Sequence, residues 1–258
     1  MAKAKRKYRT LKPTLPNAGV EAAYRKQLFQ IVRELMRDFP GELNQDYVFV
    51  LRQFTEHLRN ADVTEKFYRE AERIARTFVN RASNHTQSAL RVALESAGYN
   101  PRQLESLRRV PGALENVKNA IYRENVALIR RMPEETARQI ERMVNDSVVR
   151  GSDLGGMVKE LMDIPDMTLR RAQIIARDQN NKATQSMALV RMQSLGITHG
   201  VWMHRSGGKT FRPTHVTMDG EKFPLAEGLY DMNEGRNVFP AELINCHCTF
   251  ESILPDLE

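Results

Sequence analysis

The stretch Thr168–Gly196, TLRRAQIIARDQNNKATQSMALVRMQSLG, joins two kinds of sequence pattern in this chain of 258 residues. Its apolar residues return every three or four positions, which predicts one long helix with a core face. That core face consists of Ala172, Ile175, Ala176, Ala183, Met187 and Val190. The middle of the same helix is polar, which indicates either a solvated face or a binding surface. Its polar residues are Arg177, Asp178, Asn180 and Asn181.

The sequence before this stretch is helical almost throughout. From about Val20 to Leu195, strong helix formers separate apolar residues at helical spacing, and segments such as FPGEL and RVPGA mark the breaks. The segment MPEETARQIERMVNDSVVRG has the best marked ends, with a proline at its first helical position and Gly151 after its last turn. The pattern predicts a helical body over 20–132 and further helices over 133–195.

The sequence after Gly196 changes from helical spacing to alternation. GVWMHRSGGKTF alternates apolar and polar residues up to a Gly-Gly turn, EKFPL is a short extended run, and CHCTFESIL reads as a closing strand. These patterns predict a small α+β cap over 196–258. The predicted fold class is therefore mainly α, with an elongated N-terminal helical region followed by a small C-terminal α+β domain.

The positive charge of the chain is concentrated at one end. The formal net charge is +7, of which residues 1–12 carry +6, so the other 246 residues carry only +1. We expect a basic flexible arm over 1–19 that either lies along DNA phosphates or serves as a solubilising start. The candidate DNA-binding residues are Lys3, Lys5, Arg6, Lys7, Arg9 and Lys12.

Length and cysteine content narrow the class of protein. A chain of this size can bury a core without help from disulfides or metals. Its two cysteines stand at i and i+2, where a mutual bridge would be badly strained, so a reducing compartment fits. No apolar run approaches the roughly 18–20 residues that a membrane span requires, and we expect a soluble, cytosolic product without membrane contact.

The motif NCHC leaves three interpretations open. On a strand, Cys246 and Cys248 face the same way and His247 faces the other, so the two thiols could bind zinc together with His215. They could equally be two small buried side chains, or one could be a nucleophile with His215 as its base. The other histidine and acid that could serve as ligands in the cap are His204 and Asp219.

The order of short motifs in the last third of the chain resembles one known family. These motifs are IARDQNNKA, GITHGVW, RPTH, MDGEKFPL and NCHCTF. They are similar to those of the minor head proteins of tailed bacteriophages, the Mu F-like head morphogenesis family, and place such a domain over 133–258. The matching residues are Ala176, Arg177, Trp202, Arg212, His215, Asp219, Gly220, Phe223, Asn245, Cys246 and Cys248.

Three departures from the family pattern stand beside these matches. Asp178-Gln179 replaces Thr-Glu after the helix arginine, and His247 replaces the arginine between the cysteines. PAELI replaces a Pro-x-His element, which removes one potential ligand from any metal site. The resemblance therefore implies no cofactor, with zinc as the alternative.

The resemblance implies a structural and non-enzymatic role inside a phage head. The implied partners are the portal protein, the major capsid or scaffolding protein, and packaged double-stranded DNA. The implied locations are the virion and, during procapsid assembly, the host cytoplasm. Within the cap, we expect Trp202, His215 and the two cysteines to hold the fold together, Arg177 to bond onto the cap, and Arg212 to anchor its loop. The alternative is a metal-dependent or thiol enzyme, such as a nuclease or toxin-like effector, delivered with the genome.

Overall fold

The computed structural model describes residues 9–42, 46–99, 112–149, 154–206 and 211–254. The helices in these ranges are α1 (Ala18–Leu35), α2 (Tyr47–Arg59), α3 (Ala61–Ser96), α4 (Gly112–Arg130), α5 (Met132–Val149), α6 (Leu154–Met162), α7 (Ile164–Ser194) and α8 (Pro213–Thr217). The strands are β1 (Thr10–Leu11), β2 (His199–Met203), β3 (Lys222–Pro224), β4 (Leu229–Asp231), β5 (Arg236–Val238) and β6 (Thr249–Ile253). The predicted fold class, mainly helical with a small C-terminal α+β part, is confirmed.

The chain divides into two compact units, each built from separate stretches of sequence. The first unit comprises Met1–Glu21, Val79–Ile121 and Arg177–Glu258, and the second comprises Ala22–Phe78 and Tyr122–Ala176. The predicted domain boundaries follow sequence pattern rather than contacts, and they stay a prediction. Within the described ranges, no helix combines the length and the apolar character that crossing a bilayer requires.

The second unit is held by apolar faces of its helices. Tyr24 of α1 stacks on Phe78 of α3 with ring centroids 4.3 Å apart, and its hydroxyl donates to Asn125 Oδ1 at 2.6 Å. Burial raises the pKa of Tyr24 well above its ordinary value. Full burial is shared by a set of aliphatic side chains from α1, α2, α3 and α4, namely Leu28, Leu51, Ile74 and Ile129. Helical spacing of apolar residues thus produced the expected core.

Charged side chains of the second unit pair at its surface. Arg59, the last residue of α2, donates from Nε to Glu134 Oε2 at 2.8 Å and from Nη2 to Glu141 Oε2 at 3.0 Å, both on α5. These hydrogen bonds lower the pKa of each glutamate. The side chains of Arg59, Glu134 and Glu141 keep 37%, 39% and 42% of their surface exposed, respectively. We refer to these three residues as the Arg59 cluster.

The first unit contains a four-stranded antiparallel sheet in the order β1-β6-β2-β3. In the centre, Trp202 of β2 stands opposite Phe250 of β6. Gly200 is opposite both Ser252 and Phe223, and a Cβ at this position would lie 2.9 Å from Leu225 Cδ2. The close approach of neighbouring side chains therefore requires glycine there. Strands β4 and β5 form a separate antiparallel pair.

The described part of the predicted flexible arm is packed. Strand β1 pairs with β6, with Thr10 opposite Ile253, and Leu11 is only 2% exposed. Asn17 accepts a hydrogen bond from the backbone N–H of Val20 and so caps the start of α1. The prediction of a free arm over 1–19 is therefore wrong for residues 9–19, because Thr10 and Leu11 form a sheet edge and the carbonyls of Thr14 and Asn17 accept hydrogen bonds from α7. Residues 1–8 lie outside the described residues, as does the predicted Gly-Gly turn at 207–208.

In the polar middle of α7, Asn180 and Asn181 are buried, whereas Arg177 and Asp178 are half-buried. Asn180 donates to the carbonyl of Asn17, and Gln185 donates to the carbonyl of Thr14 at 2.8 Å. Arg191 Nη2 donates to both the carbonyl oxygen and the hydroxyl oxygen of Ser83. Through these bonds α7 holds Thr14 and Asn17 of the irregular segment before α1, and Ser83 of α3. The solvated alternative for this face is therefore wrong for Asn180 and Asn181, which are 1% and 5% exposed.

Candidate metal-binding or thiol site in the cap

Three side chains named from the sequence converge in the cap. The ligating atoms of His215, Cys246 and Cys248 lie within 4.8 Å of one another, and all three residues are buried. His215 Nδ1 lies 3.3 Å from Cys246 Sγ and 3.6 Å from Cys248 Sγ. The structure thus brings together the three residues predicted as zinc ligands, although they come from segments 31 and 33 residues apart.

Local backbone chemistry sets the position of each member. Pro213 stands at the start of α8, where its missing N–H and fixed φ suit a first turn, and this short helix presents His215. The two cysteines lie just before β6, which begins only at Thr249. The prediction of a strand through NCHC is therefore wrong. Asn245 has φ 60°, so the chain turns in a left-handed conformation before the strand begins.

A buried carboxylate stands behind His215. Asp231 Oδ2 lies 3.2 Å from His215 Nε2, an ion-pair distance, although the N–H is not aligned for a good hydrogen bond. Thr214 Oγ1 donates to Asp231 Oδ2 at 3.1 Å, and the backbone N–H of Asn233 donates to Oδ1 at 2.9 Å. Burial alone would raise the pKa of Asp231, but these donors and the neighbouring His215 outweigh it and lower that pKa.

Aromatic rings close one side of the site. Trp202 meets the His215 ring edge to face, with centroids 5.3 Å apart and an interplanar angle of 78°. Phe223 lies against the same indole at 5.9 Å. Trp202 and Phe223 are both fully buried. This apolar wall fixes the imidazole and excludes water from its back.

The two thiols have opposite tendencies to ionise. A hydrogen bond from Cys248, opposed by burial and assisted by His215, lowers the pKa of Cys246. The same contact with Cys246, together with burial, raises the pKa of Cys248. The contact between the two sulfurs allows both metal ligation and nucleophilic attack.

A second histidine approaches the cysteines from the end of β2. His204 Nδ1 lies 3.6 Å from Cys248 Sγ, and the His204 backbone N–H donates to Asp219 Oδ1 at 2.8 Å. Asp219, a candidate ligand from the sequence, therefore holds the backbone of His204, which is the other candidate ligand. Both histidines and both cysteines line a pocket of about 270 Å³.

Helix α7 fastens the segment that carries the cysteines. Arg177 donates from Nη2 to Asn245 Oδ1 at 3.2 Å, and Asp178 Oδ1 accepts the backbone N–H of Asn245 at 2.6 Å. Asn181 Nδ2 lies 3.4 Å from the carbonyl oxygen of Cys246 and 3.0 Å from His247 Nδ1. His247 therefore turns towards α7, away from the sulfurs, and burial followed by the charge of Arg177 lowers its pKa.

Comparison with known proteins identifies the region that contains this site. Residues 138–251 match the family model described as Phage Mu protein F like protein. This region is similar to the Mu F-like family. The resemblance drawn from the ordered motifs is therefore confirmed, and the match includes all members of the site.

One relative aligns with nearly the whole of this chain, beyond the Mu F-like region. An uncharacterized protein of Haemophilus influenzae is 27% identical over 275 residues. The alignment covers 98% of this chain and 58% of that relative, so the chain spans less than two thirds of the relative's length. No solved structure matches the chain at a significant level.

The remaining motif residues of the Mu F-like region support the loops around the site. Arg212 Nη1 donates to the carbonyl of Ile244 at 3.0 Å, which links α8 to the cysteine segment. Gly220 has φ +87°, and its N–H donates to the carbonyl of Trp202 at 2.8 Å. That left-handed turn favours glycine and directs the chain into β3. These placements agree with the structural roles expected for Arg177 and Arg212, which stay predictions.

The predicted DNA-binding residues lie in another part of the chain. Arg9 Nη2 donates to the carbonyl of Ala97 at 3.0 Å, and Lys12 is exposed. The other four lie outside the described residues: Lys3, Lys5, Arg6 and Lys7. The site and the described arm residues are thus separate features.

Two participants were missed by the sequence reasoning. Asp231 sits in the run YDMNEG, where an Asp that accepts the N–H of the second residue after it is a common turn signal. That signal predicts a turn and carries no information on burial next to His215. The sequence places Asn181 on the polar face of α7. It does not predict the contact of Asn181 with His247, because the two residues are 66 positions apart.

Proposed function

We propose that this protein is a minor structural protein of a tailed-phage head and acts in head morphogenesis. The observation that carries the proposal is the family match over residues 138–251. Further support comes from the cap, where the family's motif residues Trp202, His215, Phe223, Cys246 and Cys248 are buried together, while Arg177 and Arg212 bond to the segment that carries the cysteines. Such convergence is typical of residues that maintain a domain.

The finer role is an association with the portal inside the head during procapsid assembly. The resemblance supports the portal and the capsid or scaffolding protein as partners. The charge distribution supports DNA as a further partner, because residues 1–12 carry +6 while the remainder carries +1. In this role the protein resides in the virion and performs no catalysis.

A phage mutant tests the assembly role. A phage with a stop codon in this gene should form few DNA-filled heads. Wild-type protein supplied from a plasmid should restore them, whereas the Trp202→Ala variant should not. Arg170→Ala, an exposed change on α7, is the matched control and should complement fully. Cross-linking in procapsids should join the protein to the portal. Normal numbers of DNA-filled heads without the protein would overturn the proposal.

A salt titration tests the DNA contact. Replacing all six basic residues of 3–12 by glutamine should weaken binding to duplex DNA and flatten its salt dependence. Six phosphate contacts correspond to a log–log slope of about −5. The control replaces four basic residues of helix α1 and its C-terminal flank, Arg25, Lys26, Arg33 and Arg37, and the two variants are compared per charge removed. Equal loss of affinity in both variants would contradict a specific role for the arm.

A second candidate function has a specific observation in its favour. Cys246, His215 and Asp231 stand in the order nucleophile, base and orienting acid, at 3.3 Å and 3.2 Å. All three are nearly inaccessible, at 4%, 2% and 0% exposure. Hydrolytic or nuclease activity that survives repurification, and is lost in Cys246→Ser or Cys248→Ser with the fold intact, would reverse the ranking.

A further inference from the structure

We propose that His204, His215, Cys246 and Cys248 bind one Zn²⁺ ion in a structural site of the cap. This inference goes beyond the proposed role in the phage head and does not depend on it. The ligand set combines two nitrogens with two sulfurs, which is a common composition of closed zinc sites.

The interatomic distances suit a tetrahedral ion. Zinc bonds of about 2.3 Å to sulfur and about 2.0–2.1 Å to nitrogen place neighbouring S and N ligands about 3.6 Å apart. The measured Nδ1···Sγ separations are 3.3 Å for His215 and Cys246, 3.6 Å for His215 and Cys248, and 3.6 Å for His204 and Cys248. The three buried ligands therefore already have the spacing that the ion requires.

The orientation of His215 provides an independent observation. Its Nδ1 faces both sulfurs, while its Nε2 faces the buried carboxylate of Asp231. Metal-binding histidines usually pair their second ring nitrogen with a carboxylate or carbonyl, which fixes the ring and makes the ligating nitrogen a better donor. Thr214 and Asn233 in turn hold Asp231 through hydrogen bonds.

Charge balance also favours a divalent cation. Two cysteines bind zinc as thiolates, and two thiolates with Zn²⁺ form a neutral group. Neutrality removes the cost of burying separate charges beside Trp202. A disulfide between positions i and i+2 would be strained, whereas joint ligation of one metal ion leaves both cysteines unstrained.

His204 completes the coordination from the open side. It lines the pocket with the other three ligands and is half-buried, whereas they are buried. Its backbone N–H is held by Asp219 and its Nδ1 lies 3.6 Å from Cys248 Sγ, but it stands outside the group formed by the other three ligands, so its side chain has to turn towards the ion. With His204 as the fourth ligand, the zinc site has no open position. Without His204, water would occupy the fourth position.

The site would link three segments that the sheet holds only in part. His204 follows β2, His215 lies on α8, and the cysteines precede β6. A single ion across these segments is a crosslink, which binds the folded cap and not the unfolded chain, and so raises its stability.

Elemental analysis of the full chain is the first test. The protein is reconstituted with zinc sulfate, passed through gel filtration and analysed for zinc by plasma mass spectrometry. We expect about one zinc per chain in the wild type, and loss of zinc in Cys246→Ser, Cys248→Ser and His215→Asn. The matched control His199→Gln removes a histidine that bonds to Thr198 on β2's flank and should keep its zinc. No zinc in the wild type, or zinc retained in the double cysteine variant, overturns the proposal.

Cobalt substitution avoids any dependence on folded variants. Co²⁺ bound to the wild-type protein should give thiolate charge-transfer absorption and the intense visible bands of a tetrahedral ion. An octahedral spectrum without sulfur bands overturns the site.

Two further variants define the ligand set. His204→Gln should weaken zinc binding and open a water position; an unchanged zinc affinity overturns the four-ligand assignment. Asp231→Asn should weaken zinc binding by about 10–100-fold, the usual effect of removing an orienting partner. These measurements use purified protein, so their failure leaves the role in head assembly untouched, and failure of the complementation test leaves the zinc site untouched.

Discussion

The cap site and the Arg59 cluster both use hydrogen-bonded charges, but they differ in access to water. In the cap, His215 and Asp231 are 2% and 0% exposed, and every atom of the pair is removed from solvent competition. The Arg59 cluster keeps more than a third of each side chain in water. The comparison teaches that burial, and not the number of hydrogen bonds, decides how strongly a polar cluster constrains the fold.

The largest effect should come from the apolar wall of the cap. Trp202→Ala removes a fully buried indole that contacts His215 and Phe223, and we expect a loss of about 3–5 kcal/mol in the free energy of unfolding. Because Trp202 is the single tryptophan of the chain, unfolding is followed by circular dichroism. Trp202→Phe should recover much of the loss. A loss of less than about 1 kcal/mol for the alanine variant would contradict tight packing.

The buried carboxylate should come next. Asp231→Ala leaves the Asn233 N–H and the Thr214 hydroxyl without their acceptor, and each unsatisfied buried group costs about 1–3 kcal/mol. We expect a total of about 3 kcal/mol by urea unfolding of metal-free protein. The matched control Asp146→Ala, an exposed change on α5, should be nearly neutral. Equal effects in the two variants would show that burial is not decisive.

The same carboxylate gives a pH prediction. Its pKa is lowered in the folded protein, so it contributes stability that is complete above the unfolded pKa of about 3.9 and is lost as pH falls through the lower folded value. The stability difference between wild type and Asp231→Asn should therefore shrink below about pH 4. It is measured by urea unfolding with chelator present. A pH-independent difference would contradict the shift.

A smaller effect is expected where the cap is tied to α7. Arg177→Ala removes one partly exposed hydrogen bond to Asn245, with an expected cost of about 1 kcal/mol. Limited proteolysis and the thermal midpoint of the cap should both report it. Arg170→Ala on the same helix serves as control. Unchanged stability and protease resistance in Arg177→Ala would show that its bonding role is wrong.

The smallest effect should come from the Arg59 cluster. Hydrogen bonds that Arg59 donates to Glu141 and Glu134 raise the pKa of Arg59, but solvent screens these exposed charges, so Arg59→Ala should cost no more than about 1 kcal/mol. The cost should largely vanish at about 1 M salt, where the screening length is about 3 Å. Arg52→Ala, an exposed change on the same helix, is the control. A large, salt-independent loss would erase the contrast between the two regions.

The helices were predictable because their signals are local. Helix α7 was expected from Thr168 to about Ser194 and runs from Ile164 to Ser194. Its apolar face follows from the 3.6-residue period, which needs no knowledge of distant partners. The cluster of His215, Cys246 and Cys248 was also anticipated, since few residue types in the cap can bind metal.

The rest of the site could not be predicted because it depends on distant contacts. The packing of residues 9–19 requires β6, more than 230 positions away, and the burial of Asn180 requires the carbonyl of Asn17. Asp231 carries no local mark of its burial next to His215. Polar side chains that satisfy irregular backbone look like solvated residues until their partners are known.

The strand order β1-β6-β2-β3 also has a consequence for the timing of folding. Strand β6 lies between β1 and β2, yet it is the last strand of the described chain to leave the ribosome. With synthesis at about 5–20 residues per second, β1 waits for more than ten seconds without its partner. Strand β1 presents an unpaired edge to the cell throughout that time, whereas β2 is made only shortly before β6 and presents one for the last few seconds. Efficient biogenesis therefore depends on keeping these edges from pairing with other nascent chains until the central strand arrives.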